Sequence, residues 1–586
     1  MTADKGKSAR TGSRGRLTGL LDRLAALRAT MASPATGFVS QPEPRSIGSF
    51  ARGRQMIAGN FLFAGFLVEG ADRAIWDLPV PDPSFEEALQ GCTWLDDLAA
   101  VGDRPARERA QGWVFGWIAR YGRARGPGWT PDLTGRRLIR LINHAPFLLN
   151  GRDKTEAQAF FRSLGQQTLF LARRWRSASP GLPRVEALTG LIYASLALTG
   201  MERHAGAAAE ALAAECTGGI DAAGGIPTRN PEELLEVLTL LLWAADAMTA
   251  AGRTPLPAHL AAIARIAPTL RALRHADGGL ARFHGGGRGA EGRLDTALNA
   301  TGTRAVARTG LAMGFARLHA GRTSLIVDAA PPPRGAASAN AHASTLAFEL
   351  TSGRWPLIVN CGSGAMFGPD WHRAGRATPS HSTLAIEGYS SSRLGPARRT
   401  GAAMRTWLEE TPSEVWMRPE TDPARHALFG HDGYLITHGL THIRELELAP
   451  DGNALKGMDT LGAMTSADKA RFETVFQADA LRGIPFQIRF HIHPEVDATL
   501  DMGGWAVSMA LKSGEIWVFR FDGPVDLTLD PSVYLEKGRL RPRATQQIVL
   551  SGRLQAPIQQ IGWTLAKAQD TPGANQGEPR PPVPAP

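Results

Sequence analysis

The hydrophobic period of this chain changes near residues 323–340, and that change limits the folds available to it. From residue 47 to about residue 320, apolar residues recur every three or four positions, as on the buried face of a helix. Ser324–Asp328 has the composition of a strand, and a connector rich in proline, glycine and alanine follows it. After the connector, apolar residues alternate with polar ones, as at Leu346, Phe348 and Leu350. We therefore predict a helical first half and an all-β second half.

The helical half contains several long periodic segments separated by short breaks rich in glycine, proline and aspartate. Antiparallel helical hairpins are the expected result, and there are too many helices for one bundle core. We predict a helical toroid or solenoid rather than a compact bundle. The clearest helical segments are Ala110–Tyr121, Arg136–Leu149, Thr155–Trp175, Arg184–Leu198 and Pro231–Met248.

The second half contains many short alternating segments with glycine-containing turns, which indicates an antiparallel β-sandwich. The predicted fold class is therefore α+β, with two domains. We place a basic, flexible segment with a short amphipathic helix at 1–45, the toroid at 46–322, the sandwich at 323–566 and a disordered Pro/Gly-rich tail at 567–586. Besides the first hairpin, the predicted strands are His442–Leu448, Arg471–Gln477, Phe486–His493, Val507–Leu511, Ile516–Phe521 and Gln546–Leu550.

The chain carries a net charge of +10, which suits a negatively charged partner. Nucleic acid, an anionic membrane and an acidic polysaccharide all qualify. The sequence has no zinc-finger or RNA-recognition signature, and no apolar run approaches the roughly 18 residues of a transmembrane helix. Three widely spaced cysteines argue against a disulfide framework.

The N-terminal sequence is basic and lacks the apolar core of a secretory signal. Leucines then follow at helical spacing. This pattern is typical of a helix that lies on a membrane surface, or of a short helix that packs on the body of the protein, and we favour the second reading. The leucines are Leu17, Leu20, Leu21, Leu24 and Leu27.

Residues 340–388 contain the best candidates for chemistry. His342 and His381 each stand at the entrance of a predicted strand, and histidine can transfer a proton near neutral pH. Arg373 and Arg376 precede His381, and arginine can hold a carboxylate or sulfate through two hydrogen bonds.

These segments resemble the C-terminal domain of the heparinase II/III family, and further motifs follow in the family's order over about residues 50 to 560. The resemblance implies an N-terminal incomplete α/α-barrel (toroid) followed by an antiparallel β-sandwich, with substrate in the cleft between them. It implies β-elimination on a uronate-containing acidic polysaccharide, and a location in the cell envelope or periplasm. The motifs are His342-Ala-Ser344, Asn360-Cys361-Gly362, Arg376-Ala-Thr378, His431-Asp-Gly-Tyr434, His442-Ile-Arg444, Phe490-His-Ile-His-Pro494, Trp129-Thr-Pro-Asp132 and Arg229-Asn-Pro231.

The chain departs from the family pattern at positions that bear on activity. Ser344 and Asn360 stand where family members carry aspartates, so we expect no cofactor and consider zinc at His342, Asn360 and His381 doubtful. The catalytic tyrosine of the toroid has no clear counterpart. The resemblance leaves His381, His342, Arg376 and Asn230 as catalytic candidates, and Arg373, Arg229, Asn360 and His372 as substrate-binding candidates.

Two hypotheses about function follow. The first is a polysaccharide lyase whose partner is an acidic polysaccharide. The second is a non-catalytic glycan-binding or envelope-assembly protein that keeps the fold without the lyase residues. A nucleic-acid partner is suggested by charge alone, and we do not predict one.

Overall fold

The first half of the chain is helical. The computed structural model describes residues 4–32, 35–40, 45–71, 73–303, 310–400, 403–420, 422–478 and 480–568. The predicted tail therefore lies almost wholly outside the described residues. The helices of this half are α1 (Asp4–Thr30), α2 (Phe50–Ile57), α3 (Pro83–Gln90), α4 (Trp94–Val101), α5 (Arg104–Tyr121), α6 (Pro131–Asn143), α7 (Ala145–Leu149), α8 (Lys154–Arg174), α9 (Leu182–Ala197), α10 (Ala205–Gly219), α11 (Pro231–Ala250), α12 (Pro257–Ala272) and α13 (Arg293–Ala300).

Helices α6, α9 and α11 form the inner layer of this half, because they are buried on nearly all sides. Helix α9 packs against α6, α10 and α11, while α12 packs against α10 and α11. Their ends are set by local chemistry, as where Asp153 and Glu156 form a reciprocal capping box at the start of α8. The predicted helical architecture is confirmed. No helix among the described residues is long and apolar enough to cross a bilayer.

A short hairpin also lies in the helical half, and the sequence did not predict it. Its strands are β1 (Asn60–Phe63) and β2 (Phe66–Glu69), and they pair in an antiparallel register. Four-residue strands give too little alternation to stand out from a helical background.

The second half consists mainly of two antiparallel sheets packed face to face. The strands are β3 (Phe315–Ala320), β4 (Thr323–Asp328), β5 (Phe348–Ser352), β6 (Trp355–Val359), β7 (Leu384–Ile386), β8 (Arg393–Leu394), β9 (Arg398–Thr400), β10 (Ala403–Arg405), β11 (Leu408–Glu410), β12 (Val415–Pro419), β13 (His426–Tyr434), β14 (Leu440–Leu448), β15 (Ala454–Gly462), β16 (Ile484–Ile492), β17 (Asp497–Asp501), β18 (Ala506–Ala510), β19 (Ile516–Asp522), β20 (Val525–Tyr534), β21 (Arg543–Leu554) and β22 (Ile558–Lys567). One large sheet has the order β12-β13-β14-β15-β22-β19-β18-β17, and the other has the order β20-β21-β16-β6-β5-β4-β3, with β7 also pairing with β16. Strands β8 and β11 pair in a separate two-stranded sheet, as do β9 and β10.

Two details differ from the prediction. Strand β3 lies before residue 323, so the sandwich begins earlier in the chain than the boundary that we placed. The predicted strand Arg471–Gln477 is wrong, because it lies within helix α16 (Ser466–Ala478), which follows the short helices α14 (Pro369–Ala374) and α15 (Leu435–His438). Phe472 and Phe476 are four residues apart, which is helical spacing, and their rings stack.

A buried ionic network ties the two sheets together. Arg444 donates two hydrogen bonds to the Asp459 carboxylate, at 2.8 and 3.0 Å. The same guanidinium also donates to the carbonyls of Leu346 and Ser382, on the side of the other sheet. The indole N–H of Trp563 donates to Asp459 Oδ2 at 2.9 Å. Burial alone would raise the pKa of Asp459, but Arg444 and His442 hold that pKa far below its usual value.

Replacing Asp459 with Asn should destabilise the sandwich by about 3 kcal/mol or more, because it leaves the buried Arg444 charge without its partner. Urea denaturation of the full chain, followed by tryptophan fluorescence, would measure the change. The same substitution at the exposed Asp497 is the control, with an expected change within about 0.5 kcal/mol. Equal effects of the two substitutions would contradict the role given to the network.

Candidate functional site

The structure brings His342 and His381 into direct contact in the second half. His342 lies in the loop before β5, and His381 directly follows a 3₁₀ turn at Thr378–Ser380. The Nδ1–H of His381 donates to the Ala377 carbonyl at 2.9 Å, which leaves its Nε2 as an acceptor for the Nδ1–H of His342 at 3.1 Å. Nε2 of His342 accepts a hydrogen bond from the backbone N–H of Gly285. These partners assign one neutral tautomer to each ring.

A third histidine, His284, extends this chain and was not predicted. Its Nδ1 accepts a hydrogen bond from the backbone N–H of His342, and its Nε2 lies 3.4 Å from Asp328 Oδ2. The three histidine side chains are essentially inaccessible to solvent, with exposed fractions of 1% or less. They form a continuous buried chain that runs from the loop after α12 to the start of β7.

Asp328, at the end of β4, provides a carboxylate to this site. Ser344, which stands where the family carries an aspartate, donates to Asp328 Oδ2 at 2.7 Å. Arg229 donates to the other oxygen at 2.6 Å. Burial alone would raise the pKa of Asp328, but Arg229 and His284 hold that pKa far below its usual value, so the carboxylate is ionised.

Arg229 and Asn230 connect the helical half to this site. The guanidinium of Arg229 also donates to the carbonyls of Met313, Gly314, Ala330 and Pro331, so it has no N–H left for a substrate. Asn230 caps α11, because its Oδ1 accepts from the backbone N–H groups of Glu232 and Glu233.

Arg376 and Asn360 also make their contacts inside the protein. Arg376 donates to the carbonyls of Ser338, Ala341 and Thr406, and burial lowers its pKa to about 10. Asn360 Oδ1 accepts from the backbone N–H of Ser382, while its Nδ2 has no hydrogen-bond partner. Both side chains hold neighbouring main chain in position.

The remaining two candidates lie nearer the surface, on helix α14. Arg373 is exposed, and His372 is partly exposed with an unpaired Nε2. Burial lowers the pKa of His372 to about 4, so its ring is neutral at physiological pH. The structure therefore divides the eight predicted residues into a buried group of six and a surface pair.

Zinc does not fit the positions that the resemblance implies for it. Both ring nitrogens of His342 already have partners, and Nδ1 of His381 is bound to a carbonyl. The unpaired Nδ2 of Asn360 is an N–H donor, which has the wrong polarity for a cation. No group of three His, Cys, Asp or Glu side chains within the described ranges could hold a metal ion.

The electrostatics of the site keep its histidines neutral. Burial lowers the pKa of His381 to about 4, and burial together with the neighbouring His381 lowers the pKa of His342 well below its usual value. Burial also lowers the pKa of His284 more than Asp328 raises it. Both nitrogens of His342 and of His381 are already bonded, so these two buried neutral rings have no free proton acceptor for a substrate C–H.

A groove between the two halves, lined by many charged side chains, lies near this site. It has a volume of about 290 Å³, and its walls come from the loop after α12 and from strands of the sandwich. Arg282, at its base, donates to the Asn360 carbonyl and lies over the Tyr534 ring at 3.9 Å. Arg288, Arg354, Arg539 and Arg543 line its sides, together with Trp355.

Sequence reasoning could have found Asp328 but had little signal for His284. An ionisable residue that ends an apolar strand, as in Ser324–Asp328, is a signal for a buried acid with a partner. His284 stands in a glycine-rich loop that looked like a plain connection, and only the tertiary structure brings it to His342.

Acid should destabilise the protein through these histidines. The pKa of His381 is about 4 in the folded chain and 6.5 for an ordinary histidine. The stability that its neutral ring contributes is therefore complete above pH 6.5. As the pH falls toward 4, the free energy of unfolding decreases by about 1.4 kcal/mol per pH unit. Urea midpoints between pH 5 and 7.5 would measure the slope. His381→Gln should reduce the pH dependence of the free energy of unfolding by the equivalent of one proton, whereas substitution of the exposed His319 by Gln should not. Equal slopes in the two variants would contradict the assignment.

Comparison with known proteins agrees with this architecture. Residues 303–564 match the family model for the heparinase II/III-like C-terminal domain. FtsZ-localized protein C of Caulobacter vibrioides is 30% identical over 544 residues, and the alignment covers 91% of each chain.

Solved structures share the two-part fold at low sequence identity. Heparinase III superposes with a TM-score of 0.67 at 11% identity, covering 94% of this chain and 90% of that one. A mutant heparan sulfate lyase from Pedobacter heparinus superposes with a TM-score of 0.56 at 13% identity, covering 98% and 93%. From the family-model match, the relative and the shared two-part fold, we conclude that the chain belongs to the heparinase II/III-like family.

Proposed function

We propose that this protein is a non-catalytic member of the family, which uses the lyase fold to bind an acidic glycan and to assemble at the bacterial cell envelope. The observation that carries the proposal is that His342 and His381 make all their hydrogen bonds inside the protein. Their rings bond to each other and to the main chain, and neither is accessible.

Lyase chemistry requires groups that reach the substrate. A β-eliminating enzyme must neutralise the uronate carboxylate, remove the C5 proton and protonate the leaving oxygen. Arg376 and Arg229, which would neutralise the carboxylate, direct their guanidinium groups at protein carbonyls. The fold likeness to heparinase III keeps lyase activity as the competing hypothesis.

The groove between the halves is where we expect the glycan to bind. Arg354 is exposed and lies over Trp355 at 5.2 Å from the ring centroid, so an arginine and an aromatic face are side by side. Arginine suits sulfate and carboxylate groups, and an aromatic ring suits the C–H face of a sugar. The groove also contains four acidic residues, which pair with its arginines or with His275 and limit its net charge.

Helix α1 supports a second role, attachment to an anionic membrane surface. Ala25, Ala26 and Ala29 are buried, α1 packs against α8, and Asp22 pairs with Arg174 of that helix at 2.5 Å. The leucines of α1 form a stripe on the opposite face, with exposed fractions from 42% to 56%. The exposed Arg23 and Arg28 add positive charge. An apolar stripe with basic residues is typical of helices that lie on a membrane. The leucines are Leu17, Leu20, Leu21, Leu24 and Leu27.

The name of one relative bears on where in the cell this protein acts. That protein is described as FtsZ-localized, and we extend to this chain the expectation that it works at the bacterial division site. A protein that binds both a membrane surface and a glycan would suit envelope assembly there.

The protein should bind heparan sulfate, or another uronate glycan, without cleaving it. Because His342 and His381 are inaccessible, we expect no rise in the ultraviolet absorbance of unsaturated uronate, while immobilised glycan retains the protein in low salt. Heparan sulfate, hyaluronan and alginate would be compared. A rise in absorbance that His381→Gln abolishes without unfolding the protein would overturn the non-catalytic assignment.

A matched pair of variants tests the groove in the same assay. Arg354→Ser should weaken glycan binding about tenfold, because it removes an exposed charge beside Trp355. Arg418, which is also exposed and lies 5.0 Å from the Trp416 ring on another part of the sandwich, provides the control Arg418→Ser. Equal losses in the two variants would point to general surface charge instead.

The leucine stripe should bind vesicles that contain phosphatidylglycerol. Burial of one leucine in the membrane contributes about 1.5 kcal/mol or more to the free energy of binding. The double substitution Leu20→Glu and Leu24→Glu should therefore weaken vesicle binding at least tenfold. Co-sedimentation with anionic and with neutral vesicles would measure it. Ile436→Glu, at a position that is 80% exposed on α15, is the control. Unchanged sedimentation of the double variant would exclude this mode of attachment.

A further inference from the structure

An exposed aromatic pair lies at an open edge of the sandwich. Trp505, directly before β18, stacks on Phe521 of β19, with ring centroids 5.6 Å apart and an interplanar angle of 6°. The Trp505 side chain is 67% exposed, although tryptophan is on average a well-buried residue. Phe521 covers one face of the indole, so the other face is open to solvent.

The surface around this pair is apolar and adjoins a free strand edge. Strand β17 pairs with β18 on one side, and no other described strand pairs with it on the other side. Leu500 and Met502 lie next to the pair, because Asp501 is the register partner of the residue that follows Trp505. Leu500 is 50% exposed and Met502 is 59% exposed. A group of exposed apolar side chains in one place is typical of an interaction surface.

The sequence that follows β22 contains a segment that suits such a surface. Residues 579–586, which lie outside the described residues, read Pro-Arg-Pro-Pro-Val-Pro-Ala-Pro. Proline fixes φ near about −65°, so this composition favours the polyproline II conformation, which has about three residues per turn. Pro581 and Pro584 are then on one face. Proline-rich segments bind to aromatic surfaces, and their preformed conformation lowers the entropic cost of binding.

We propose that residues 579–586 dock on the Trp505–Phe521 pair of the same chain. The last described residue, Ala568, donates its backbone N–H to the carbonyl of Ile516, at the start of β19. Phe521 is five residues farther along that strand, at a distance of about 17 Å. Ten residues separate Ala568 from the proline-rich segment, and they span up to about 36 Å when extended. The segment therefore reaches the aromatic pair without strain.

The covalent link favours this occupant over a free peptide. A short linker gives a tethered segment an effective concentration of about 1 mM, so a site with a Kd of about 0.1 mM is occupied about nine-tenths of the time. Arg580 in the segment and the exposed Asp522 beside Phe521 have opposite charges, which help to fix the register of docking. The docked segment also covers apolar surface beside a strand edge that would otherwise be open to aggregation. The inference does not depend on glycan binding or on membrane attachment.

Hydroxyl-radical footprinting of the full chain, read by mass spectrometry, would test this contact. Substitution of Pro581, Pro582 and Pro584 by Ser removes the proline faces and leaves the described part of the chain unaltered. We expect the oxidation rate of Trp505 to rise about fivefold or more, because the indole loses its cover. Met464, which follows β15 and is 44% exposed, is the internal reference and should be oxidised at an unchanged rate.

The converse test changes the aromatic surface and observes the segment. In ¹⁵N NMR spectra of the full chain, the amide signals of Arg580, Val583 and Ala585 should be broad in the parent and sharp in Trp505→Ser, because the released segment reorients independently of the sandwich. Tyr389→Ser is the matched control and should leave these signals broad. Tyr389 is 40% exposed and contacts α15, which follows β13 near the opposite edge of the same sheet.

The concentration dependence of the footprint identifies the occupant. Equal protection of Trp505 over a wide range of protein concentrations would support docking within one chain. Protection that grows with concentration would overturn the inference in favour of docking on a second copy. Unchanged oxidation of Trp505 in the serine variant, or equally sharp signals in the parent and in Trp505→Ser, would also overturn it.

Discussion

The ion pair between Asp328 and Arg229 is the interaction on which the centre of the molecule depends. The Asp328 carboxylate is fully buried and needs its partners in order to remain ionised. Arg229 supplies the positive charge from the loop before α11, and Ser344 and His284 approach the other oxygen. Since Arg229 also binds four carbonyls around the junction of the halves, one ion pair fixes how the toroid meets the sandwich. A buried pair of this kind specifies geometry more than it adds stability.

The histidine chain follows from that geometry. With His284 held beside Asp328, its Nδ1 receives the His342 backbone N–H, and the Gly285 N–H bonds the His342 ring. The positive φ of Gly285, 86°, lets the backbone turn at this point. Five of the six ring nitrogens then have a hydrogen-bond partner, while His284 Nε2 lies 3.4 Å from Asp328 Oδ2. Burial keeps the rings neutral. Histidines that match a lyase family by sequence thus act here as a polar core between strands.

Sequence reasoning reached the two halves and singled out His342 and His381, because periodicity and motif order report local structure and family resemblance. It did not predict that these two rings touch. It did not reach the burial of these side chains, which depends on contacts between residues far apart in the chain. Arg229 and Asp328 are 99 positions apart, and no local pattern links them. The helix at Ser466–Ala478 was missed for another reason. Phe472 and Phe476 fit both the helical and the strand period, and only Val475 distinguishes the two in favour of a helix.

The way in which the candidate groups are distributed in the molecule supports our proposal of a binding module. Catalysis needs an acid, a base and a charge stabiliser to converge within a few ångströms of one substrate atom. Here the convergent residues are bonded to one another, while the groups open to ligands lie apart. The leucine stripe is on α1, and the Arg354–Trp355 pair is in the groove. Sites that are separated in this way suit binding to several components at once. Because the sites belong to one chain, the overall affinity exceeds that of each site alone.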